Sequence, residues 1–291
     1  MNECGFRKYR FSRIRSNGRD IVLENITSTN EKKSYVEVIK IVIVAQIIFG
    51  IIRRLTTNIR LIEGIPGSIF HTALFMLVIL AYIRSSLGKQ GLSLSDCYIG
   101  EFKCSIKDFL MAVGFSISVL ALLAVIADKV VPSGIELRKL GYFTINNFIT
   151  SAIASGITEE IYFRGYLFKR VEVKSDWKMA VIMTSIIFGV GHIGSASTIL
   201  GMISVFIGTA CLGAFFAVLT YKTKSIWKSA LFHMCMNTKE RFIGFSEDSS
   251  LFVLDFGTMT TDLQIAMAWF VVVALSMLSI WICLRKLDEV K

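Results

Sequence analysis

The chain has 291 residues, of which 54% are hydrophobic and only 19% are charged, and its mean hydropathy is +0.61. A soluble protein of this length carries more charge and fewer apolar residues. The apolar stretches are long and continuous rather than alternating, which argues against an outer-membrane barrel. The composition therefore predicts an all-α polytopic membrane protein.

The net charge of +10 does not indicate a nucleic-acid partner. Much of the excess lies in the N-terminal tail and at the ends of apolar stretches, where positive charge sets membrane topology and attracts anionic lipid. We therefore expect anionic lipid as a partner and no nucleic acid. The six cysteines include no C-x-x-C pair, so neither a disulfide framework nor a zinc ribbon is predicted.

In chain order, residues 1–34 are polar and basic and predict a cytoplasmic tail without a cleavable signal segment. Residues 35–284 predict a bundle of about eight transmembrane helices, and residues 285–291 predict a short cytoplasmic C-terminal tail. The fourth and seventh spans are the least apolar, as expected for helices that line a central polar cavity. The predicted spans are 35–52, 65–83, 109–126, 145–168, 177–194, 198–220, 225–240 and 264–284.

The distribution of basic residues predicts the orientation of these spans. With eight spans and the N-terminus inside, most of the 32 lysines and arginines fall in segments on the side that holds both chain ends. Such an excess marks the cytoplasmic side. We therefore predict a multi-pass protein of the cell membrane with both termini in the cytoplasm.

Two adjacent glutamates, Glu159 and Glu160, lie inside the fourth predicted span. An ionised side chain at the centre of a membrane helix costs about 2.5 kcal/mol or more. Arg164 follows Glu160 by one helical turn on the same face and can pair with it. Glu159 points roughly 100° away and has no partner nearby in the sequence. Glu159 is therefore predicted to be a functional carboxylate.

Two histidines of later spans are predicted to reach these carboxylates. Glu159 precedes the turn between spans four and five by about 15 residues and His192 follows it by about 17, so at 1.5 Å per residue they reach similar depth. His233 and Asn237 lie one turn apart on span seven, and Phe188 precedes His192 by the same interval. One polar pocket is predicted to contain Glu159, Glu160, Arg164, His192, His233 and Asn237.

These groups suffice to hydrolyse a peptide bond. A carboxylate removed from water is a stronger base and can take a proton from a water molecule. An imidazole and an amide can then stabilise the oxyanion. Glu159, His192 and His233 equally match a catalytic zinc site that keeps one position for water. The residues leave both mechanisms open, with zinc as the cofactor or with none.

Three motifs in this order resemble one family. They are E-E-x-x-x-R at Glu159 to Arg164, F-x-x-x-H at Phe188 and His192, and H-x-x-x-N at His233 and Asn237. The pattern is similar to the CPBP family, also called Abi, which comprises CAAX prenyl proteases and bacteriocin-processing enzymes. The resemblance covers about residues 145–240, the predicted peptidase core. Each motif is weak alone, and the three together are specific.

The resemblance implies an eight-helix intramembrane endopeptidase whose cavity opens to the membrane or the cytosol. It implies that Glu159 activates water with support from Glu160 and Arg164, and that His192 is the histidine beside the catalytic glutamate. His233 and Asn237 match the pair assigned to the oxyanion hole. The implied substrate is a membrane-embedded or lipidated peptide or protein, such as a prenylated C-terminus, a pheromone or a bacteriocin precursor.

A second function is compatible with the same spans. A non-catalytic scaffold for bacteriocin immunity or signalling would bind a partner within the membrane. Complete motifs favour the enzyme, because a scaffold has no need for buried carboxylates at this insertion cost. A transporter is a third alternative, which the missing internal repeat disfavours.

Overall fold

The structure, a computed structural model, describes residues 36–37, 39–55, 64–89, 91–134, 136–245 and 250–288. The predicted tail at 1–34 lies outside the described residues. Within them, a helix lies at each of the eight predicted positions. The helices are α1 (39–55), α2 (Gly64–Gly88), α3 (Ile106–Ile126), α4 (Leu137–Lys174), α5 (Trp177–His192), α6 (Ile199–Thr223), α7 (Trp227–Thr238) and α8 (Thr261–Asp288).

Five of these helices are long and apolar enough to cross a membrane. Their faces carry large apolar side chains that other residues leave uncovered, such as Val125, Ile199 and Phe270, as lipid contact requires. The protein is therefore a multi-pass helical membrane protein, as predicted. Because these spans number five among the described residues, the predicted number of eight remains a prediction. The five are Ile69–Gly88, Ile106–Ile126, Trp177–Ser195, Ile199–Thr223 and Thr261–Arg285.

Helix α4 is not a uniform α-helix. Its α-helical parts are Leu137–Asn147, Thr158–Glu160 and Phe168–Lys174, and the wider π turns of Phe148–Ile157 and Ile161–Leu167 separate them. π turns are rare and often occur at functional sites. The adjacent glutamates lie in the short α-helical part between the two π segments.

Polar side chains fix where several helices begin. The Ser105 hydroxyl accepts a hydrogen bond from the Asp108 backbone N–H, the Asp108 carboxylate accepts one from the Ser105 backbone N–H, and this capping box starts α3. Asp176 caps α5 and Thr198 caps α6. Helix α6 ends at Lys224, whose φ of 53° is left-handed. The last helix, α8, continues to Asp288, past the predicted end at residue 284.

A small sheet joins the loops at one end of the bundle. Strand β1 (Lys129–Pro132) precedes α4, and β2 (Ile243–Gly244) and β3 (Phe252–Asp255) precede α8. The order is β1-β3-β2, with β1 antiparallel to β3 in the register Lys129 to Asp255 and β2 parallel to β3. The loops that follow α3 and α7 therefore share one end of the molecule.

The loops after α2, α4 and α6 meet at the opposite end. The Tyr98 hydroxyl donates to the Glu172 carboxylate at 2.8 Å, and the Trp227 indole donates to the Gly100 carbonyl at 3.0 Å. Lys174 also pairs with Glu37 before α1, at 3.5 Å. Successive membrane crossings require that loops alternate between two ends. The loops after α2, α4 and α6 share one end in the structure, and the distribution of basic residues also put these loops on one side.

Two apolar clusters make up the core. The first lies among α1, α2, α4 and α5, and the second lies among α3, α6, α7 and α8. Phe188 belongs to the first cluster and Phe216 to the second, and both rings contact His233, at centroid distances of 5.8 and 5.3 Å. The predicted site residues therefore lie where the two clusters meet.

Two cavities lie among the described helices. One of about 400 Å³ lies among α3, α7, α8 and the sheet, with a mainly apolar lining that includes Leu123, Met236 and Trp269. The other, of about 240 Å³, lies among α1, α2 and α4. Neither cavity is lined by Glu159 or His192.

Candidate active site

Glu160 is the centre of a buried ionic network. Its Oε1 accepts a hydrogen bond from Arg164 Nη1 at 2.8 Å and another from His233 Nδ1 at 3.0 Å. Glu160 and Arg164 are both fully buried. A buried charge is tolerated only when it is paired and hydrogen-bonded, so the guanidinium compensates this carboxylate. The pair suggested by the sequence therefore forms, and it also joins the first and third motifs.

An aromatic enclosure holds the Arg164 guanidinium. Its central carbon lies 4.2 Å from the centroid of the Phe188 ring, 5.6 Å from Phe163 and 5.5 Å from Phe216. Cation–π attraction of this kind strengthens when the cation is removed from water. Arg164 Nη2 also donates to the Gly213 carbonyl at 3.3 Å. The side chain is therefore fixed from three helices, α4, α5 and α6.

Gly213 is required for this approach. A Cβ at that position would lie 3.1 Å from Arg164 Nη2 and 3.1 Å from Phe188 Cδ1. Any larger side chain would push the guanidinium away from Glu160. The sequence reasoning missed Gly213, because no local pattern distinguishes it from the other glycines of the apolar helices.

Glu159 has a different environment from Glu160. Its Oε1 accepts a hydrogen bond from the Ser155 hydroxyl at 3.0 Å and lies 3.8 Å from Nη1 of the half-exposed Arg53. Its Oε2, like that of Glu160, is buried and has no hydrogen-bond partner among the described residues. A buried carboxylate oxygen without a partner is unfavourable and marks a place for a water molecule or a substrate group.

The expectation that Glu159 has no local partner was wrong. Ser155 lies four residues earlier on the same helix, and this spacing was a readable signal. Arg53 comes from α1, far away in sequence, and only the packing of α1 against α4 brings it close. The stacking of Phe49 on Tyr162, at a centroid distance of 4.2 Å, is part of that packing.

His192 lies at the last residue of α5 and is half-buried. Its Nδ1 lies 2.7 Å from the Phe188 carbonyl oxygen, which can only accept, so Nδ1 donates. In a neutral ring this tautomer leaves the Nε2 lone pair as an acceptor. The His192 ring packs on the Phe188 ring at a centroid distance of 4.5 Å. Phe188 is therefore the wall shared by His192, His233 and Arg164.

His233 and Asn237 lie one turn apart on α7, His233 buried and Asn237 half-buried. Helix α7 packs closely on α4 at Gly156, where a Cβ would lie 3.1 Å from Met234 Cγ and 3.4 Å from the Met234 backbone nitrogen. This approach lets His233 reach Glu160. The structure thus brings Glu160, Arg164 and His233 into direct contact, joins His192 to them through Phe188, and places Glu159 next to Glu160.

The zinc alternative needs three ligands in one group. Among the described residues, no group of three or more His, Cys, Asp or Glu side chains could hold a metal ion. His233 directs Nδ1 to Glu160, and Glu159 is held by Ser155.

Comparison with known proteins agrees with the motifs. Residues 142–238 match the family model described as "Type II CAAX prenyl endopeptidase Rce1-like". The chain is also similar to "Putative membrane peptidase YdiL" of Bacillus subtilis (strain 168), with 33% identity over 90 residues. That alignment covers 31% of this chain and 34% of the relative, so the chain spans about a third of the relative's length.

The matched region contains all three motifs, from Glu159 to Asn237. The resemblance to the CPBP family that the motifs predicted is therefore confirmed over these residues.

Proposed function

We propose that this protein is an intramembrane endopeptidase in which Glu159 activates a water molecule for attack on a peptide bond. The observation that carries the proposal is the contrast between two adjacent buried carboxylates. Glu160 is paired with the fully buried Arg164 and accepts a hydrogen bond from His233. Glu159 accepts only from the neutral Ser155 hydroxyl and lies 3.8 Å from the half-exposed Arg53, and the second oxygen of each carboxylate is buried without a hydrogen-bond partner among the described residues. Glu160 thus supports the structure, and Glu159 is available as the base.

The water is held from two sides in the proposed reaction. It donates one hydrogen to Glu159 Oε2 and the other to His192 Nε2. The Nε2 lone pair is available because His192 donates its Nδ1 hydrogen to the Phe188 carbonyl. A water that donates both hydrogens presents an oxygen lone pair to the substrate carbonyl carbon. General-base catalysis of this kind contributes about 10²- to 10⁴-fold to the rate.

The oxyanion is stabilised from α7 in the same scheme. As the water oxygen bonds to the carbonyl carbon, Glu159 takes one proton and the carbonyl oxygen becomes negative. The Asn237 amide and the Nε2 side of His233 donate to that oxygen, and Glu160 stabilises the positive charge of a doubly protonated His233. Glu159 then passes its proton to the leaving nitrogen. The C–N bond breaks, and a carboxylic acid and an amine are released.

The substrate proposed is a membrane-embedded or lipidated peptide or protein. The site lies between apolar clusters in helices that face lipid, so a peptide reaches it from the bilayer more readily than from water. We place both termini in the cytoplasm, as the excess of basic residues on that side favours. No metal or other cofactor takes part in the proposed reaction.

The experiment compares cells that lack the gene and carry either the wild type or one of two variants. Glu159→Gln removes the base and keeps the size of the side chain. Glu101→Gln is the matched control, because the Glu101 side chain is 87% exposed in a loop. Mass spectrometry of secreted peptides and of membrane-protein termini should find cleavage products with the wild type and Glu101→Gln only. The same products with Glu159→Gln at equal protein level would refute the proposal.

A further inference from the structure

The cavity of about 240 Å³ among α1, α2 and α4 combines two kinds of wall. One wall is apolar and belongs to α1, where it includes Ile41, Val44 and Ala45. The cavity also carries two cationic groups, Lys40 at the start of α1 and Arg170 of α4, and two tyrosine hydroxyls. A hydrocarbon surface beside a cluster of cations and hydroxyl donors suits an amphiphile with a negative head.

The hydroxyl groups of this cavity form a connected network. Arg170 Nη1 donates to the Ser86 hydroxyl and to the Tyr166 hydroxyl, at 3.1 Å each. Ser86 and Tyr166 are 2.8 Å apart, and Tyr82 lies 3.3 Å from Tyr166. A guanidinium and several hydroxyls in one network are the donors that phosphate oxygens accept from.

The two cations have no counter-ion among the described residues. Neither Lys40 nor Arg170 forms an ion pair there, and the buried Nε of Arg170 has no hydrogen-bond partner. The carboxylate one turn before Lys40, Glu37, pairs with Lys174 instead. Two uncompensated positive charges beside one cavity favour an anion within it.

The depth of the cavity identifies the kind of anion. Lys40 is near the start of α1, whereas Ser86 and Arg170 are near the ends of α2 and α4. The pair of Glu37 with Lys174 shows that these helix ends lie at one level. The ends of membrane-spanning helices lie near the lipid headgroups, and in the orientation proposed above this end is the cytoplasmic one, where anionic lipids attract basic residues.

We propose that this cavity binds the phosphodiester head of an anionic phospholipid, with an acyl chain along the apolar face of α1. Lys40 and Arg170 hold the phosphate, and Tyr82 and Tyr166 donate hydrogen bonds to it. The lipid fills the space where α1, α2 and α4 meet and fixes α1, the helix that carries Arg53 to Glu159. The assignment is independent of the proposed peptidase activity.

The test uses the full chain, purified in detergent and freed of lipid. Dioleoylphosphatidylglycerol and dioleoylphosphatidylcholine are titrated separately, and binding is measured by native mass spectrometry and by the shift in thermal unfolding. The expected result is tighter binding of phosphatidylglycerol. Lys40→Gln and Arg170→Gln should each weaken it about tenfold, the loss of one charge-assisted contact. Lys178→Gln, an exposed lysine at the same end of the bundle but outside the cavity lining, should leave it unchanged.

Lys40 is exposed, so Lys40→Gln keeps the fold intact even if Arg170→Gln disturbs the network. An unchanged preference for phosphatidylglycerol in Lys40→Gln and Arg170→Gln would overturn the proposal, as would equal binding of both lipids by the wild type. Inorganic phosphate distinguishes the sources of the anion. If inorganic phosphate displaced phosphatidylglycerol and raised the unfolding temperature of the wild type as much as phosphatidylglycerol does, the site would bind free phosphate and the lipid assignment would be wrong.

Discussion

His233 Nδ1 on α7 donates a hydrogen bond of 3.0 Å to Oε1 of Glu160 on α4. The same oxygen accepts from Arg164, so one carboxylate oxygen joins two motifs that are far apart in the sequence. This contact orients the His233 ring and leaves its Nε2 edge for a ligand. It also means that Glu160 cannot be replaced without affecting the histidine, whereas Glu159 can be replaced separately.

Removal of the Arg164 charge should strongly destabilise the protein. Arg164→Met leaves Glu160 buried without its cation, and breaking a buried pair in this way costs about 3–5 kcal/mol. The measurement is the free energy of unfolding in mixed detergent. The double variant Glu160→Leu/Arg164→Met should be less destabilised than Arg164→Met alone, because no unpaired charge remains. If the losses of stability measured for Glu160→Leu and for Arg164→Met simply added up in the double variant, the two residues would not act as a pair.

Gly213→Ala should loosen the same enclosure. The new methyl would lie 3.1 Å from Arg164 Nη2 and from Phe188, and overpacking of this kind costs about 1–3 kcal/mol. Gly114→Ala on α3 is the control, because a Cβ there meets nothing within 4 Å. The control should keep or slightly raise stability, since alanine favours helix by about 1 kcal/mol over glycine. Equal stability of the two variants would mean that the contact of Arg164 with Gly213 is not tight.

His192→Ala should lower activity and leave stability almost unchanged. The ring is half-buried at the end of α5, and its only hydrogen bond given by the described residues is to the Phe188 carbonyl. Loss of a group that holds the attacking water should reduce kcat by about 10²- to 10⁴-fold. The rate is measured on a cleavage product found by the comparison of variants. Full activity of His192→Ala would remove the histidine from the proposed mechanism.

Removal of metal ions should not change the activity. The proposed reaction uses Glu159 as the base, and the described residues offer no three-ligand metal group. Membranes treated with a strong chelator and then washed should cleave the substrate at the same rate as untreated membranes. Activity that disappears with the chelator and returns with zinc would instead establish the metal mechanism that the sequence also allowed.

The helices and the motif residues were largely predictable from the sequence. Continuous apolar stretches locate helices, and Arg164 one turn after Glu160 identifies an ion pair because helical spacing is regular. The spacing of Glu159 and His192 about a common turn gave a prediction of depth. The structure places both histidines against Phe188, the residue one turn before His192.

The remaining features depend on tertiary packing that no local pattern encodes. The approach of Arg53 to Glu159 arises only when α1 and α4 pack together, and no local pattern indicated the π turns on either side of Glu159. Whether Gly213 or another glycine contacts Arg164 depends on the rotation of α6. The charged cavity is lined by Lys40 and Arg170, which come from helices far apart in the sequence. In the sequence, each of them resembles any other long cationic side chain that extends from a helix end toward the membrane surface.

The most direct test of the central claim is the comparison of peptide and protein termini in cells that express the wild type, Glu159→Gln or Glu101→Gln at equal levels. We expect at least one cleavage product that the wild type and Glu101→Gln generate and Glu159→Gln does not. Identical sets of termini in all three would contradict a role for Glu159 as the base that activates water.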